Sequence, residues 1–128
     1  MKDMTNTEVL FCDTYALIEI IFGNKNYKKH LNSTLITSQY NLMELYYALL
    51  REYNKESADK YVDVWSKYAL DIPFDIIKEA MIFKLQNKKE NLSYVDCIGY
   101  VFSVKNNIRF LTGDIKFRER LHVLYVSK

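Results

Sequence analysis

Residues 9–14 read Val-Leu-Phe-Cys-Asp-Thr: four apolar residues, then an aspartate and a threonine. A short, continuously apolar run of this kind is typical of a strand that is buried on both faces of a parallel sheet. Similar runs occur at residues 34–37, 69–72, 109–112 and 122–126. The sequence therefore predicts about five short strands, of which residues 9–12 form the first.

Helical patterns separate these runs. The spacing of apolar residues and the capping residues predict helices over residues 14–22, 38–53, 57–68, 74–87 and 93–106, with shorter ones near 27–31 and 115–120. Strands that alternate with helices imply a parallel sheet with helices on both faces. We therefore predict an α/β fold, a three-layer α/β/α sandwich with a mostly parallel, about five-stranded sheet.

Size and composition favour one globular domain over residues 1–128, with residues 1–7 as a poorly ordered extension. The amino terminus has no apolar signal-peptide core, and no apolar run is long enough to span a bilayer. Cys12 and Cys97 match no metal-ligand spacing, so we expect buried, reduced thiols. These features predict a soluble, cytoplasmic protein without a membrane partner. The net charge of +2 is too small to identify a nucleic-acid binder by itself.

Four acidic residues occupy related places in this predicted order. Asp13 and Asp114 each follow a strand, Glu44 interrupts an apolar helix stripe, and Asp96 lies in the first turn of a helix. In open parallel sheets, ligands bind beyond the carboxyl ends of the strands, where the strand order reverses. Carboxylates that meet there repel one another and raise one another's pKa values, and a hard divalent cation such as Mg²⁺ or Mn²⁺ removes the conflict. The pattern favours a metal-dependent phosphodiesterase site.

Helix capping is the alternative interpretation for three of these acids. Asp13 and Asp114 each stand directly before a predicted helix, where aspartate is a preferred cap. Ser93 and Asp96 fit a capping box, in which the acid reaches back to the backbone amide of the serine. The sequence leaves both interpretations open for these residues.

Glu44 is not explained by capping. None of its helical neighbours three or four residues away is a cation, so no ion pair within the helix is available. A half-buried carboxylate needs a partner from elsewhere, and a metal ion would serve. Gly99, one turn after Asp96, is interpreted as leaving space beside that carboxylate for a metal ion or a phosphate.

Other phosphate chemistries lack their motifs. A dehalogenase-type phosphotransferase needs a second aspartate two residues after Asp13, and that position holds Tyr15. Neither a P-loop nor a G-x-G-x-x-G motif occurs. His30 and His122 have no metal-ligand spacing, and we expect the first at the surface and the second at the start of an edge strand.

The chain resembles the PIN domain family, particularly its small VapC-like toxins, from about Leu10 to Val126. Four segments carry the resemblance: Phe11-Cys12-Asp13-Thr14, residues 37–45 around Glu44, residues 92–97 around Asp96, and residues 110–117 around Asp114. Their order and spacing are more specific than any one of them.

The resemblance implies a ribonuclease with one or two Mg²⁺ or Mn²⁺ ions. It places the catalytic and metal-binding acids at Asp13, Glu44, Asp96 and Asp114, with Thr112 and Thr14 in accessory roles. Many members have a further acid two residues after the fourth one; here that position is Lys116, which could touch substrate phosphate instead.

The resemblance also implies partners. They are an RNA substrate, a second copy of the chain in a homodimer, and an antitoxin protein that covers the pocket. Residues 14–31 and 38–53 are the candidate dimer surfaces. The alternative function is a non-catalytic PIN-like module that binds RNA or a protein without cutting.

Overall fold

The computed structural model describes residues 7–128, and within them five parallel strands form one sheet. The predicted extension of residues 1–7 therefore lies outside the described residues, apart from Thr7. The strand order is β3-β2-β1-β4-β5. Every neighbouring pair is parallel, so the sheet is entirely parallel rather than mostly so. The strands are β1 (Val9–Cys12), β2 (Thr34–Ser38), β3 (Ala69–Leu70), β4 (Arg109–Thr112) and β5 (Val123–Tyr125).

Within the same described residues, six α-helices connect the strands, and the structure confirms the predicted three-layer α/β/α architecture. Helices α1 to α4 pack with Leu10, Cys12 and Leu111 on one face of the sheet. Helices α5 and α6 pack with Phe11 and Phe110 on the other face. Successive residues of a strand point to opposite faces, so uninterrupted apolar runs supply both cores. The helices are α1 (Thr14–Ile21), α2 (Lys25–Lys28), α3 (Gln39–Glu52), α4 (Lys55–Ser66), α5 (Phe74–Gln86) and α6 (Tyr94–Lys105).

Several predicted boundaries shift, each for a local reason. Helix α4 begins at Lys55 rather than Ser57, because the side chain of Asn54 accepts a hydrogen bond from the Ser57 amide at 2.8 Å and caps the helix. The third strand ends at Leu70 and does not reach residue 72. The last strand begins at Val123 rather than His122, which has a left-handed backbone with a φ of 61°. That conformation is incompatible with an extended strand.

The short segments also differ in type from the prediction. The expected helix near residues 27–31 consists of α2, which Asn24 caps, followed by a 3₁₀ turn over Lys29–Asn32. A second 3₁₀ turn, Ile115–Phe117, replaces the predicted helix of residues 115–120.

The interpretation of Gly99 as space for a metal ion or a phosphate is wrong. Gly99 is buried, and a Cβ atom placed on it would lie 2.6 Å from Cε1 of Phe11 and 3.0 Å from Cε1 of Phe110. Its missing side chain therefore lets α6 approach the central strands closely. The residue serves packing beneath the site rather than ligand binding.

Both cysteines are buried and free, as expected, and burial raises the pKa of the Cys97 thiol to about 11. No helix among residues 7–128 is long and apolar enough to cross a membrane.

Candidate active site

The strand order reverses at β1, which lies between β2 and β4 at the centre of the sheet. Asp13 directly follows β1, and Thr112 ends β4 beside it. The amide of Asp13 donates a hydrogen bond to the carbonyl oxygen of Leu111 at 3.1 Å, which keeps these two strand ends together. This edge of the sheet is where an open parallel fold binds its ligands.

An open cavity of about 510 Å³ lies at this edge, and all four predicted acids line it. Thr14 also lines it, whereas Thr112 is buried beside Asp13 and outside the lining. The structure thus brings together residues from both ends of the chain. The lining residues are Asp13, Thr14, Tyr15, Ile18, Glu44, Ser93, Asp96, Gly113, Asp114 and Ile115.

Asp13 is held at both carboxylate oxygens. Its Oδ1 accepts a hydrogen bond from the amide of Ala16 at 2.7 Å and so caps α1. Its Oδ2 accepts a short hydrogen bond from the hydroxyl of Thr112, which in turn accepts one from the amide of Asp114 at 3.0 Å. Only 1% of Asp13 is exposed. Thr112 therefore fixes the orientation of Asp13 and connects it to the segment that carries Asp114.

Glu44 has a polar partner that the sequence did not reveal. The hydroxyl of Thr14 donates a hydrogen bond to Oε1 of Glu44 at 2.6 Å. Nδ2 of the buried Asn41 donates to Thr14 at 3.2 Å, and Oδ1 of Asn41 accepts from the Ser38 hydroxyl at 2.7 Å. Glu44, Thr14, Asn41 and Ser38 form one chain of side chains, so Asn41 is a site residue that the sequence prediction missed. Its position one helical turn before Glu44 was the available signal.

Asp96 and Asp114 line the cavity while taking part in helix ends. Ser93 caps α6 by accepting a hydrogen bond from the amide of Asp96 at 3.0 Å. Among residues 7–128, the Ser93 amide does not donate the reciprocal bond of a capping box to the Asp96 carboxylate. Oδ1 of Asp114 accepts from the amide of Lys116 at 3.0 Å and caps the following 3₁₀ turn. Capping and a position in the cavity are therefore compatible.

Burial and the charges of neighbouring acids raise the pKa values of Asp13 and Asp96. Burial, followed by the charge of Asp96, raises the pKa of Asp13 well above its usual range, although the hydrogen bonds from Thr112 and Ala16 oppose the rise. Burial, reinforced by the charges of Glu44 and Asp114, raises the pKa of Asp96 to about 6. Negative charge in this cavity is costly unless a cation enters.

The side chains that line the cavity fit a hard divalent cation in the chemistry of their donor atoms. Every polar side chain that lines the cavity offers oxygen, from carboxylates and from the hydroxyls of Thr14, Tyr15 and Ser93. Within residues 7–128, however, no group of three or more His, Cys, Asp or Glu side chains is already arranged to hold an ion. In the same part of the chain, the lining contains no lysine, arginine or histidine that would neutralise the acids. Binding a metal ion would require the carboxylates to turn towards it.

Lys116 stands beside the cavity rather than in its lining. Its Nζ donates to the carbonyl oxygen of Asn91 at 3.2 Å, and the side chain is exposed. Its charge opposes the rise in the pKa of Asp96. The residue that replaces the expected fifth acid is therefore a nearby cation, available to a phosphate at the rim.

We expect the stability of the metal-free protein to fall as the pH rises from about 4 to about 6. The folded pKa of Asp96 lies near 6 and its unfolded value near 3.9. The stability contributed by a group with a raised folded pKa is present below the unfolded value and is lost as the pH rises through the folded value. Asp13 adds a loss of the same sign. Thermal melts of the wild type and Asp96→Asn in chelator, across this range, measure the effect.

The difference between the two proteins isolates Asp96 from the other titrating groups. Asp96→Asn should become more stable than the wild type by several degrees as the pH reaches neutrality. A constant difference across the range would mean that Asp96 titrates normally.

The comparisons with known proteins agree with this architecture. The family model of the PIN domain matches residues 10–120, which is most of the chain. The chain therefore belongs to the PIN domain family, as the resemblance predicted. Comparison with curated proteins gave no significant match.

Solved structures show the same fold. The toxin VapC20 of Mycobacterium tuberculosis, described as cleaving the sarcin-ricin loop, superposes with a TM-score of 0.76 at 17% identity, covering 91% of this chain and 98% of that one. VapBC2 of Rickettsia felis, bound to a DNA fragment from its promoter, gives a TM-score of 0.74 at 18% identity, covering 93% and 99%. A toxin–antitoxin complex from Klebsiella pneumoniae gives 0.68 at 17% identity, covering 91% and 96%. At these identities the similarity establishes the fold alone.

Proposed function

We propose that the protein is a metal-dependent endoribonuclease and the toxin of a type II toxin–antitoxin pair. The observation that carries the proposal is the convergence of Asp13, Glu44, Asp96 and Asp114 on one open cavity at the carboxyl edge of the sheet. Membership of the PIN family and the fold shared with VapC toxins support the nuclease class. Burial and neighbouring acids raise the pKa values of Asp13 and Asp96, and such carboxylates with oxygen donors around them are suited to one or two Mg²⁺ or Mn²⁺ ions.

In the proposed reaction, Asp13 and Asp96 hold the cation, and Glu44 and Asp114 complete its surroundings. When bound, the cation supplies charge stabilisation at the phosphate and lowers the pKa of a water molecule. Thr112 keeps Asp13 oriented, and Thr14 with Asn41 keeps Glu44 oriented.

Hydrolysis adds the water oxygen to phosphorus and breaks the bond to the 3′ oxygen. The departing oxygen takes up a proton, which leaves a 5′-phosphate and a 3′-hydroxyl. Glu44 and Asp114 are placed at the cavity to accept the proton that the water gives up. Lys116 at the rim contacts a neighbouring phosphate of the RNA.

The proposed partners follow from the toxin role, which we place in the cytoplasm. An antitoxin would cover the cavity and insert a basic side chain among the acids. A homodimer would cover part of the surfaces that residues 14–31 and 38–53 expose. Phe22 and Tyr53, which stack at 5.3 Å and are 50% and 57% exposed, are an apolar patch of the kind that dimers bury. Light scattering at micromolar concentration that shows only a 15.3 kDa monomer would contradict the dimer.

Cleavage of a mixed RNA pool tests the proposed function. We expect cleavage with Mg²⁺ or Mn²⁺, none with chelator, and loss of cleavage in Asp96→Asn. The matched control is Asp63→Asn, which removes an exposed aspartate of α4 and should leave cleavage unchanged. Cleavage that persists in Asp96→Asn would refute the assignment of the active site to this cavity. RNA binding without cleavage at millimolar metal would favour the non-catalytic alternative.

A further inference from the structure

A second cavity, of about 550 Å³, adjoins the acidic one along α3. Thr14 and Glu44 line both cavities, and the hydrogen bond between them forms the shared wall. Met43, Tyr47, Ala48 and Arg51 complete the second lining. We call this second cavity the α3 groove. The two cavities therefore lie side by side, and a ligand long enough to pass the Thr14 and Glu44 side chains would reach both.

The chemistry of the α3 groove differs from that of the acidic cavity. Tyr47 is 64% exposed and Met43 is 59% exposed, so an aromatic ring and a thioether face the solvent beside a charged site. The guanidinium of Arg51 lies 5.6 Å from the centroid of the Tyr47 ring. Arg51 also forms an ion pair with the adjacent Glu52 at 3.1 Å, and both side chains are 59% exposed. An exposed pair of this kind is weak, so Arg51 can exchange it for another anion.

Three side chains on one face of α3 span a distance that suits a nucleotide rather than a single phosphate or base. Glu44, Tyr47 and Arg51 stand at i, i+3 and i+7 on one helix face. With a rise of 1.5 Å per residue, they extend about 10 Å along the axis from the acids. The order along that line is carboxylate, aromatic ring, guanidinium.

We propose that the α3 groove binds the nucleoside that neighbours the scissile phosphate of a single-stranded RNA. The base stacks on Tyr47 and packs against Met43, while Arg51 contacts the next phosphate. Stacking on aromatic side chains with cations along the backbone is how proteins hold unpaired nucleotides. The proposal rests on the proposed function, because only a phosphodiester in the acidic cavity brings a base to this place. It makes Tyr47 and Arg51 determinants of substrate choice.

Binding of short oligoribonucleotides tests the groove. Fluorescence anisotropy would measure the affinity for oligo(A), oligo(U), oligo(C) and an abasic ribose-phosphate oligomer, with Mn²⁺ present. All proteins would carry Asp13→Asn, so that cutting of the probes is slow compared with the binding measurement. Tyr47→Ala should weaken binding of the best base-containing probe roughly 5- to 100-fold, and Tyr47→Phe, which keeps the ring, should restore most of it. The abasic oligomer should bind with equal affinity whether or not the protein carries Tyr47→Ala, because it has no base to stack.

Two further variants separate stacking from charge and from general surface effects. Arg51→Gln should weaken all probes, the abasic one included, and reduce the dependence of binding on salt. Tyr68→Ala is the matched control, because Tyr68 is also an exposed tyrosine with a cation near its ring, Lys67 at 5.4 Å. It lines a separate cavity beside Thr34 and Leu35 at the start of β2, and neither the acidic cavity nor the α3 groove, so its loss should leave RNA binding unchanged.

The outcomes that overturn the proposal are distinct from failure of the nuclease. If the wild type cuts RNA but Tyr47→Ala binds every probe like Tyr68→Ala, only the α3 groove assignment fails. If Tyr47→Ala instead turns a dimer into a monomer in light scattering, the groove is an interface between copies of the chain. If the unsubstituted protein neither binds nor cuts RNA, the nuclease and the groove assignment both fail.

Discussion

Replacement of Asp13 by Asn is expected to lower RNA cleavage by at least about 100-fold, the largest effect of any single substitution here. Asp13 is the most buried acid of the cavity, with 1% exposure, and lies where the strand order reverses. Its carboxylate is the proposed ligand nearest the centre of the sheet, and an amide is a weaker, uncharged ligand for a hard cation. Initial rates on one RNA substrate, with Mn²⁺ and at equal protein concentration, measure the loss.

Asp13→Asn should remain folded, so its loss of cleavage can be attributed to the chemistry of the site and not to unfolding. Asparagine caps helices as well as aspartate, so the bond from the Ala16 amide to Oδ1 can persist. The Nδ2 group of the asparagine would take the place of Oδ2, and it cannot accept the hydrogen bond that the Thr112 hydroxyl donates to Asp13. That hydroxyl, which also accepts from the Asp114 amide, would have to rearrange. The burial of the Asp13 carboxyl raises its pKa, so its removal offsets the cost of the lost hydrogen bond in the metal-free protein. A melting temperature in chelator within a few degrees of the wild type, together with full cleavage, would refute the catalytic role of Asp13.

Asp114→Asn is expected to abolish most of the thermal stabilisation that Mn²⁺ gives the wild type. A ligand at one hundred times its dissociation constant stabilises the folded state by about 2.7 kcal/mol. For a domain of this size that corresponds to a shift of roughly 10 °C. Without one of the four charges, the variant should show only a small part of that shift. In chelator it should be as stable as the wild type or more so, because repulsion with Asp96 is relieved.

Asp114→Ala provides the control for capping. Asp114 caps the 3₁₀ turn Ile115–Phe117 through the amide of Lys116, and Asn preserves that bond whereas Ala removes it. In chelator the Ala variant should therefore be about 1 kcal/mol less stable than the Asn variant, because both relieve the repulsion and only Asn keeps the cap. If Mn²⁺ shifts the melting temperatures of the wild type and Asp114→Asn equally, or leaves that of the wild type unchanged at millimolar concentration, Asp114 is a cap and not part of a metal site.

The sequence predicted the placement of the acids because that placement follows from local rules. Apolar runs that supply both cores mark the strands, and in a parallel sheet all strand ends meet at one edge. Asp13 and Asp114 follow two such runs, so their meeting required no knowledge of packing. Glu44 was informative for the opposite reason, since it lacked any partner within its own helix.

The partners of these acids could not be predicted, because they come from distant parts of the chain. Thr14 and Glu44 are joined across 30 residues, and Thr112 and Asp13 across 99. The role of Asn41 depends on the packing of α3 against α1, which brings its side chain to Thr14, and the sequence of α3 alone does not show that contact. Gly99 was misinterpreted because a glycine in a sequence does not show what fills the space beside it, and here two phenylalanine rings do.

The sequence by itself determined the layers of the fold, the parallel sheet and the edge at which the four acids gather. These depend on periodicity and on the direction of strands, which are local properties of the chain. The tertiary structure decided which hydroxyls and amides orient each acid, and that the face of α3 with Tyr47 and Arg51 continues from the acidic cavity. Those features depend on distances between elements, which are set by how side chains of different helices fill the space over the sheet.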